Sequence, residues 1–150
     1  QTTESTFSAL RYFLIGAVYR LSAEADDQIA YLDQIFAHMV EESDASVYGS
    51  DELALELDDT FLPLRDRNEE PCLTNSEKRA IIALDRYLEH LGGEKNWKFW
   101  QRNALREDYR WMEVRKLAKV ALREFEKSEA LPPKEEMMQT NNVIVDGKRA

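Results

Sequence analysis

Hydrophobic residues recur at helical spacing through most of this chain. The most regular run lies in residues 105–131, where apolar side chains return every three to five positions and charged ones fill the intervals. This pattern predicts one long helix, which Pro132 and Pro133 bring to an end. We expect the other helices to pack against this hub helix. Its predicted inward-facing residues are Leu105, Tyr109, Trp111, Met112, Val114, Leu117, Ala118, Val120, Ala121, Leu122 and Phe125.

Three shorter apolar patterns precede the hub helix. Residues 6–23 predict a helix that is apolar on most sides, which indicates a central position. A second helix is predicted from residue 29 to about residue 42, and a short third one at residues 51–59. Residues 62–73 are the predicted long connection, because Pro63 interrupts the pattern there.

Two local signals place the remaining elements. Thr74 and Glu77 have the spacing of a capping box, in which each side chain bonds the other residue's backbone amide. They predict the start of a helix that stops at Gly92. The aromatic residues within 97–100 then predict a short helix, which leads into the hub helix after a kink near Asn103.

Length and composition set the fold class. A chain of 150 residues is expected to form one domain, and 43% hydrophobic residues suffice for its core. The small numbers of glycine (5) and proline (4) favour long regular segments over a turn-rich fold. We therefore predict an all-α, single-domain irregular bundle of about five helices over residues 1–133. A polar, mobile C-terminal tail is predicted for residues 134–150.

The scarce reactive residues give no pattern that indicates catalysis. His38 and His90 are the only histidines and lie on different predicted helices, so no metal site is predicted. Cys72 is the only cysteine and has no base or cation beside it in sequence. No glycine-rich phosphate loop and no apolar run of about 18 residues are present. We predict no enzyme activity, no cofactor, no membrane partner and a cytoplasmic location.

Charge divides the chain into two unlike halves. Residues 1–75 carry 4 basic and 16 acidic side chains, a net charge of -12. Residues 76–150 carry 16 basic and 13 acidic side chains, a net charge of +3, which gives the total of -9. Such asymmetry indicates a charged partner for one of the halves.

The most acidic stretch is the candidate partner-binding site. Residues 41–60 contain eight carboxylates and no basic residue. Complementary charge steers association, and aromatic residues frequently anchor interfaces. We therefore predict a non-catalytic protein that binds a basic protein partner, most concretely an immunity protein or antitoxin that neutralises a toxin. The predicted contact residues are Asp44, Tyr48, Asp51, Glu52, Glu56, Asp58, Asp59 and Phe61.

Three alternatives remain open from the sequence. Residues 95–111 interleave basic and aromatic side chains, a pattern typical of single-stranded nucleic-acid binding. The overall negative charge opposes such binding at long range, so nucleic acid is the less favoured partner. Self-association is the second alternative, with the acidic half of one copy meeting the basic face of another. A helical adaptor or enzyme subunit is the third.

Overall fold

A computed structural model describes residues 2–37, 49–66 and 73–139. Within these ranges all regular structure is helical, and the predicted all-α class is confirmed. The eight helical segments found there exceed the predicted number of about five because three of them have seven residues or fewer. The segments are α1 (Thr2–Ser22), α2 (Ala25–Ile35), α3 (Ser50–Arg65), α4 (Asn75–His90), a 3-10 helix (Glu94–Trp100), α5 (Ala104–Glu107), α6 (Tyr109–Ser128) and α7 (Lys134–Met137).

Helix α1 lies at the centre of the bundle. It packs against α3 on one side and α6 on another, while α4 packs against α6 and more lightly against α3. Its own buried side chains include Leu14, Val18 and Leu21, which follow one another at helical spacing. None of the helices in the described ranges combines the length and the apolar character needed to cross a membrane.

The predicted hub helix is divided in two at Asp108. This residue has extended backbone angles (φ -92°, ψ 120°), and its side chain accepts a hydrogen bond from the Arg110 amide at 2.9 Å, so it caps the start of α6. The break lies five residues beyond the kink predicted near Asn103. Three residues predicted to face inward are exposed instead: Tyr109 (74%), Met112 (61%) and Val120 (40%).

The inward face of α6 is set by a different row of residues. Trp111, Val114, Ala118 and Phe125 are each 0% exposed and lie at helical spacing. With this row against the core, positions 109, 112 and 120 lie on the opposite side of the helix and face solvent. The prediction for those three positions was wrong. The apolar surface predicted for this helix was wide enough to contact two neighbouring helices, and it therefore included residues of the outer face.

Helix α3 is longer than predicted and includes Pro63. It continues to Arg65, so the expected long connection begins later than residue 62. Proline inside a helix costs about 3 kcal/mol. Burying a side chain such as Phe61 or Leu64, both at most 2% exposed, is worth about 1.5–3 kcal/mol. The two together outweigh the cost of Pro63, which itself faces solvent.

The predicted capping box at the start of α4 is confirmed. The Glu77 amide donates to Thr74 Oγ1 at 3.1 Å, and the Thr74 amide donates to Glu77 Oε1 at 2.9 Å. The buried Glu77 carboxylate also accepts hydrogen bonds from Arg11 of α1 and from Ser128 of α6. Burial alone raises the pKa of Glu77, but these hydrogen bonds outweigh burial and lower it. One carboxylate therefore joins three helices.

Arg20 of α1 connects the chain's C-terminal part to the core. Its Nη1 donates to the carbonyl oxygens of Met137 at 2.7 Å and Gln139 at 3.2 Å. Gly16 provides the space for this guanidinium, since a Cβ there would lie 3.1 Å from Nη1. Residues 134–139 of the predicted mobile tail are thus packed onto the bundle, and Met137 is 4% exposed. The rest of that tail lies outside the described residues.

Candidate functional site

Helix α3 carries the described part of the predicted partner-binding site. Asp51, Glu52, Glu56, Asp58, Asp59 and Phe61 all lie on it, whereas Asp44 and Tyr48 lie outside the described residues. A helix presents its residues in all directions, so these six side chains do not share one face. The structure separates them into an inner group and an outer group.

Phe61 belongs to the inner group. It is 0% exposed and lies in the same buried row as Leu57 and Leu64. The helical period that puts those leucines against the core brings Phe61 with them. Phe61 was predicted as a partner contact, but a partner could reach its buried ring only if α3 left the bundle.

Glu56 is also turned inward. Its Oε1 accepts a hydrogen bond from Arg20 Nε at 3.0 Å, and its Oε2 accepts one from the Tyr31 hydroxyl. Burial, followed by the neighbouring Glu56 carboxylate, raises the pKa of Tyr31, so the hydroxyl remains a donor. With its side chain 13% exposed and both oxygens bonded, Glu56 joins α3 to α1 and α2. It was predicted as a partner contact and is instead an interior link.

The outer group surrounds two exposed leucines. Leu55 is 48% exposed and Leu62 is 44% exposed. Their spacing of seven residues puts them on one side of the helix, about 10.5 Å apart along its axis. Around them lie exposed or half-buried carboxylates. We call this surface the α3 outer face: Asp51, Glu52, Leu55, Asp58, Asp59, Leu62 and Asp66.

Sequence reasoning missed both leucines, although a signal for them was present. Within the helix predicted at residues 51–59, the spacing of Leu53 and Leu57 assigns both to the core, and both are at most 1% exposed. At 3.6 residues per turn, that assignment puts positions 55 and 62 on the opposite side of α3. Two hydrophobic residues on the far side of a helix that already has its buried face are candidates for an interface.

Negative charge on this surface is crowded. Burial, a hydrogen bond with Asp85 of α4 and the nearby Glu89 carboxylate raise the pKa of Asp58 to about 7. Burial and the neighbouring carboxylates of Glu56, Asp51 and Asp59 likewise raise the pKa of Glu52. Burial and, after it, the neighbouring carboxylates therefore make Glu52 and Asp58 hold their protons more strongly than free carboxyl groups do.

One basic residue stands at the edge of this surface. Arg65 lies beside a groove of about 240 Å³ between α3 and α4, to which Asp58, Leu62 and Asp85 contribute. Its Nε donates to Asp66 at 3.2 Å, in a pair whose side chains are 42% and 78% exposed. In the described part of the chain, no three histidine, cysteine, aspartate or glutamate side chains are arranged to hold a metal ion.

The aromatic residues of the predicted nucleic-acid segment are largely used within the fold. Phe99 and Trp111 stack with ring centres 4.4 Å apart, and Trp100 meets both rings edge-on. The indole nitrogens of Trp111 and Trp100 each donate to a backbone carbonyl at 2.8 Å. Trp97 and Tyr109 are the rings of this segment that are mainly exposed.

The arginines of the same segment have carboxylate partners. Arg102 pairs with Asp33, Arg106 pairs with Asp26, and Arg110 pairs with Asp108. Phosphate binding would have to compete with these contacts. The segment thus presents Trp97 and Tyr109 as exposed rings together with Lys95 and Lys98, while its other rings are buried or half-buried and its arginines pair with carboxylates.

Of the remaining reactive residues, the structure describes His90. His90 ends α4, where its side chain is exposed, while His38 and Cys72 lie outside the described residues. A comparison of the chain with known protein families, with curated proteins and with solved structures finds no match.

Proposed function

We propose that this chain is a non-catalytic binding protein whose α3 outer face docks a basic protein partner. The observation that carries the proposal is the exposure of Leu55 and Leu62 within a surface of carboxylates. Apolar residues supply much of the affinity of an interface, and the charged rim supplies rate and specificity. Both components are present on one side of a single rigid helix.

The acidic rim favours a cationic partner. Five carboxylates on the α3 outer face stand beside Arg65, which is already paired with Asp66. Burial and, after it, neighbouring carboxylates raise the pKa of Glu52 and Asp58, and a partner's lysines or arginines would relieve the repulsive part of this effect. Association should therefore be fast at low salt and slow at high salt, because mobile ions screen exposed charges.

The spacing of Leu55 and Leu62 also indicates how apolar residues should be arranged on the partner. A surface that meets both Leu55 and Leu62 needs apolar groups about 10.5 Å apart, with basic residues beside them. An amphipathic basic helix has this arrangement. A toxin that acts on nucleic acid needs a basic surface to bind phosphate. Covering such a surface is how an immunity protein or antitoxin would act, and this is the most concrete form of the proposal, with a cytoplasmic location.

Paired variants test the surface directly. The α3 pair variant carries Leu55→Gln and Leu62→Gln, and the control carries Met112→Gln and Val120→Gln on α6. All four residues are exposed, and glutamine is a good helix former, so the folds should be preserved. Each protein would be immobilised and exposed to an extract of the source cell at low and high salt, and the retained proteins identified by mass.

The expected result is a basic protein retained by the wild type and the control and lost from the α3 pair variant. Binding kinetics with that purified protein then test the rim. Asp51→Asn with Asp59→Asn should lower the association rate about tenfold at low salt, with little effect at high salt. Glu107→Gln with Glu126→Gln, exposed residues on α5 and α6, is the matched charge control. Equal retention by the wild type and the α3 pair variant would contradict the proposal.

A further inference from the structure

Helix α6 carries a second exposed face with the opposite charge. Met112 and Val120 are exposed to 61% and 40%, and Tyr109 at the start of the helix is exposed to 74%. Exposed basic residues accompany them. We call this surface the α6 outer face: Tyr109, Met112, Lys116, Lys119, Val120, Arg123 and Lys127. One exposed carboxylate, Glu126, lies on the same side of the helix, so the net charge of the surface is still positive.

The cations of this surface are available for new contacts. Lys116 lies 3.8 Å from Glu113, and Lys127 lies 3.0 Å from Glu124, one helical turn away in each case. Both lysine side chains are more than 70% exposed. Exposed ion pairs of this kind contribute little to stability, so a partner's carboxylates can replace them at small cost.

The two outer faces have opposite net charge, and their apolar residues have similar spacings along the helix axis. Met112 and Val120 are eight residues apart, or about 12 Å along the helix, compared with about 10.5 Å between Leu55 and Leu62. Each face therefore presents two exposed apolar groups about two helical turns apart, with an offset around the helix of about 20° on α3 and about 80° on α6. Carboxylates accompany the leucines on α3, and amines and a guanidinium accompany Met112 and Val120 on α6.

The two faces cannot meet within one molecule. Helix α1 packs against both α3 and α6, and each of these helices turns its buried residues toward the core. Their outer faces therefore point away from the core on different sides of the bundle. Contact between them requires a second molecule.

We propose that the α3 outer face of one copy docks on the α6 outer face of another. The contact joins two different surfaces, so each copy in the resulting assembly still has one free face, and association continues unless a ring closes. This inference goes beyond the proposed function and does not rest on it. A separate basic protein that binds α3 would, however, compete with the second copy.

Sedimentation velocity of the wild type over a range of concentrations provides the first test. The average mass should rise with concentration at about 0.05 M salt and return to the monomer mass at about 0.5 M salt, because screening weakens exposed charge pairs. A wild type that is monomeric at low salt up to about 100 μM, an affinity too weak to matter in most settings, would overturn the proposal.

Mixing two variants provides the decisive test. The variant with Leu55→Gln and Leu62→Gln retains the α6 outer face, and the variant with Met112→Gln and Val120→Gln retains the α3 outer face. Each should be monomeric alone, and an equimolar mixture should form a dimer that does not grow further. Far-UV circular dichroism confirms that both variants are folded. Self-association by either variant alone, or a mixture that stays monomeric, would overturn the proposal.

The same proteins distinguish this inference from the proposed function. Loss of self-association in the α6 variant leaves its α3 outer face intact, so it should still bind a basic partner. If the wild type does not self-associate but retains a basic protein through α3, only the inference fails. If the mixture forms dimers and no basic protein is retained, only the proposed function fails.

Discussion

The carboxylates on the inner and outer faces of α3 differ in burial and in hydrogen bonding. On the inner face, Glu56 accepts hydrogen bonds from Arg20 and Tyr31 and is almost enclosed. On the outer face, Asp51 and Asp59 surround exposed leucines, and their neighbours Glu52 and Asp58 have raised pKa values. A buried charge must be paired, whereas an exposed charge can remain unpaired because water solvates it. Burial and pairing, more than acidic composition, therefore separate structural carboxylates from those available to a partner.

The largest predicted difference in stability is between alanine variants of two adjacent residues, Phe61 and Leu62. Phe61→Ala removes a ring that is 0% exposed and leaves a cavity, so we expect a loss of about 3–5 kcal/mol in the free energy of unfolding. Leu62→Ala removes a side chain that is 44% exposed and should cost less than about 1 kcal/mol. Urea denaturation of both variants measures the difference.

The same two variants should show the reverse order in binding. Leu62→Ala is expected to weaken docking of a basic partner, while Phe61→Ala should not, provided that the assay temperature keeps it folded. Comparable losses of stability for the two variants would contradict the assignment of inner and outer faces. Phe61 and Leu62 could be buried to a similar extent only if α3 were rotated about its axis.

The next largest effect should come from Arg20 on the inner face. Arg20→Met keeps most of the apolar stem but leaves Glu56 without its cation and removes the donor to the Met137 carbonyl. Removing one partner of a buried ion pair costs about 3–5 kcal/mol, and we expect about 3, because Glu56 retains some solvent contact. Thermal or urea unfolding gives the value.

Arg106→Met is the matched control for Arg20. It removes an ion pair with Asp26 whose side chains are 59% and 80% exposed. Exposed pairs contribute at most about 1 kcal/mol, so this variant should resemble the wild type. A stable Arg20→Met protein would mean that the inner face does not depend on charge pairing.

Local signals explain which parts of this fold were predictable. The Thr74 and Glu77 capping box needs only four residues of sequence, and it was predicted and is present. The partner of Glu56 could not be predicted in this way, because Arg20 lies 36 positions away and is one of several arginines. The break at Asp108 was missed because the apolar pattern continues across this residue. The helix begins again there because the Asp108 side chain caps α6, and the apolar pattern does not indicate that cap.

The candidate site was predictable only in part, for the same reason. Acidic composition indicated α3, yet the direction of each side chain depends on which side of the helix meets α1. Once Leu53 and Leu57 face the core, Phe61 follows them inward, and Leu55 and Leu62 are left outside. The periodicity of the helix contains this information, but a list of charged residues does not.

The smallest effect concerns Asp58, the carboxylate of the outer face that is hydrogen-bonded to α4. Its carboxyl shares a hydrogen bond with Asp85 and has a pKa of about 7, compared with an ordinary value of 3.8. The folded protein therefore holds a proton that the unfolded chain has lost, and stability falls as pH rises from about 4 to about 7. Above about pH 7 both states are ionised and the loss is complete.

Asp58→Asn removes this loss, because an amide cannot ionise and can still donate a hydrogen bond to Asp85. The variant should match the wild type near pH 4 and exceed its stability by about 1 kcal/mol at pH 8; solvent screening of a partly exposed pair keeps the gain small. Urea denaturation at several pH values measures the difference, and Asp59→Asn is the exposed control. A stability difference that does not change with pH would show that Asp58 retains no proton above its ordinary pKa and is solvated like Asp51 and Asp59.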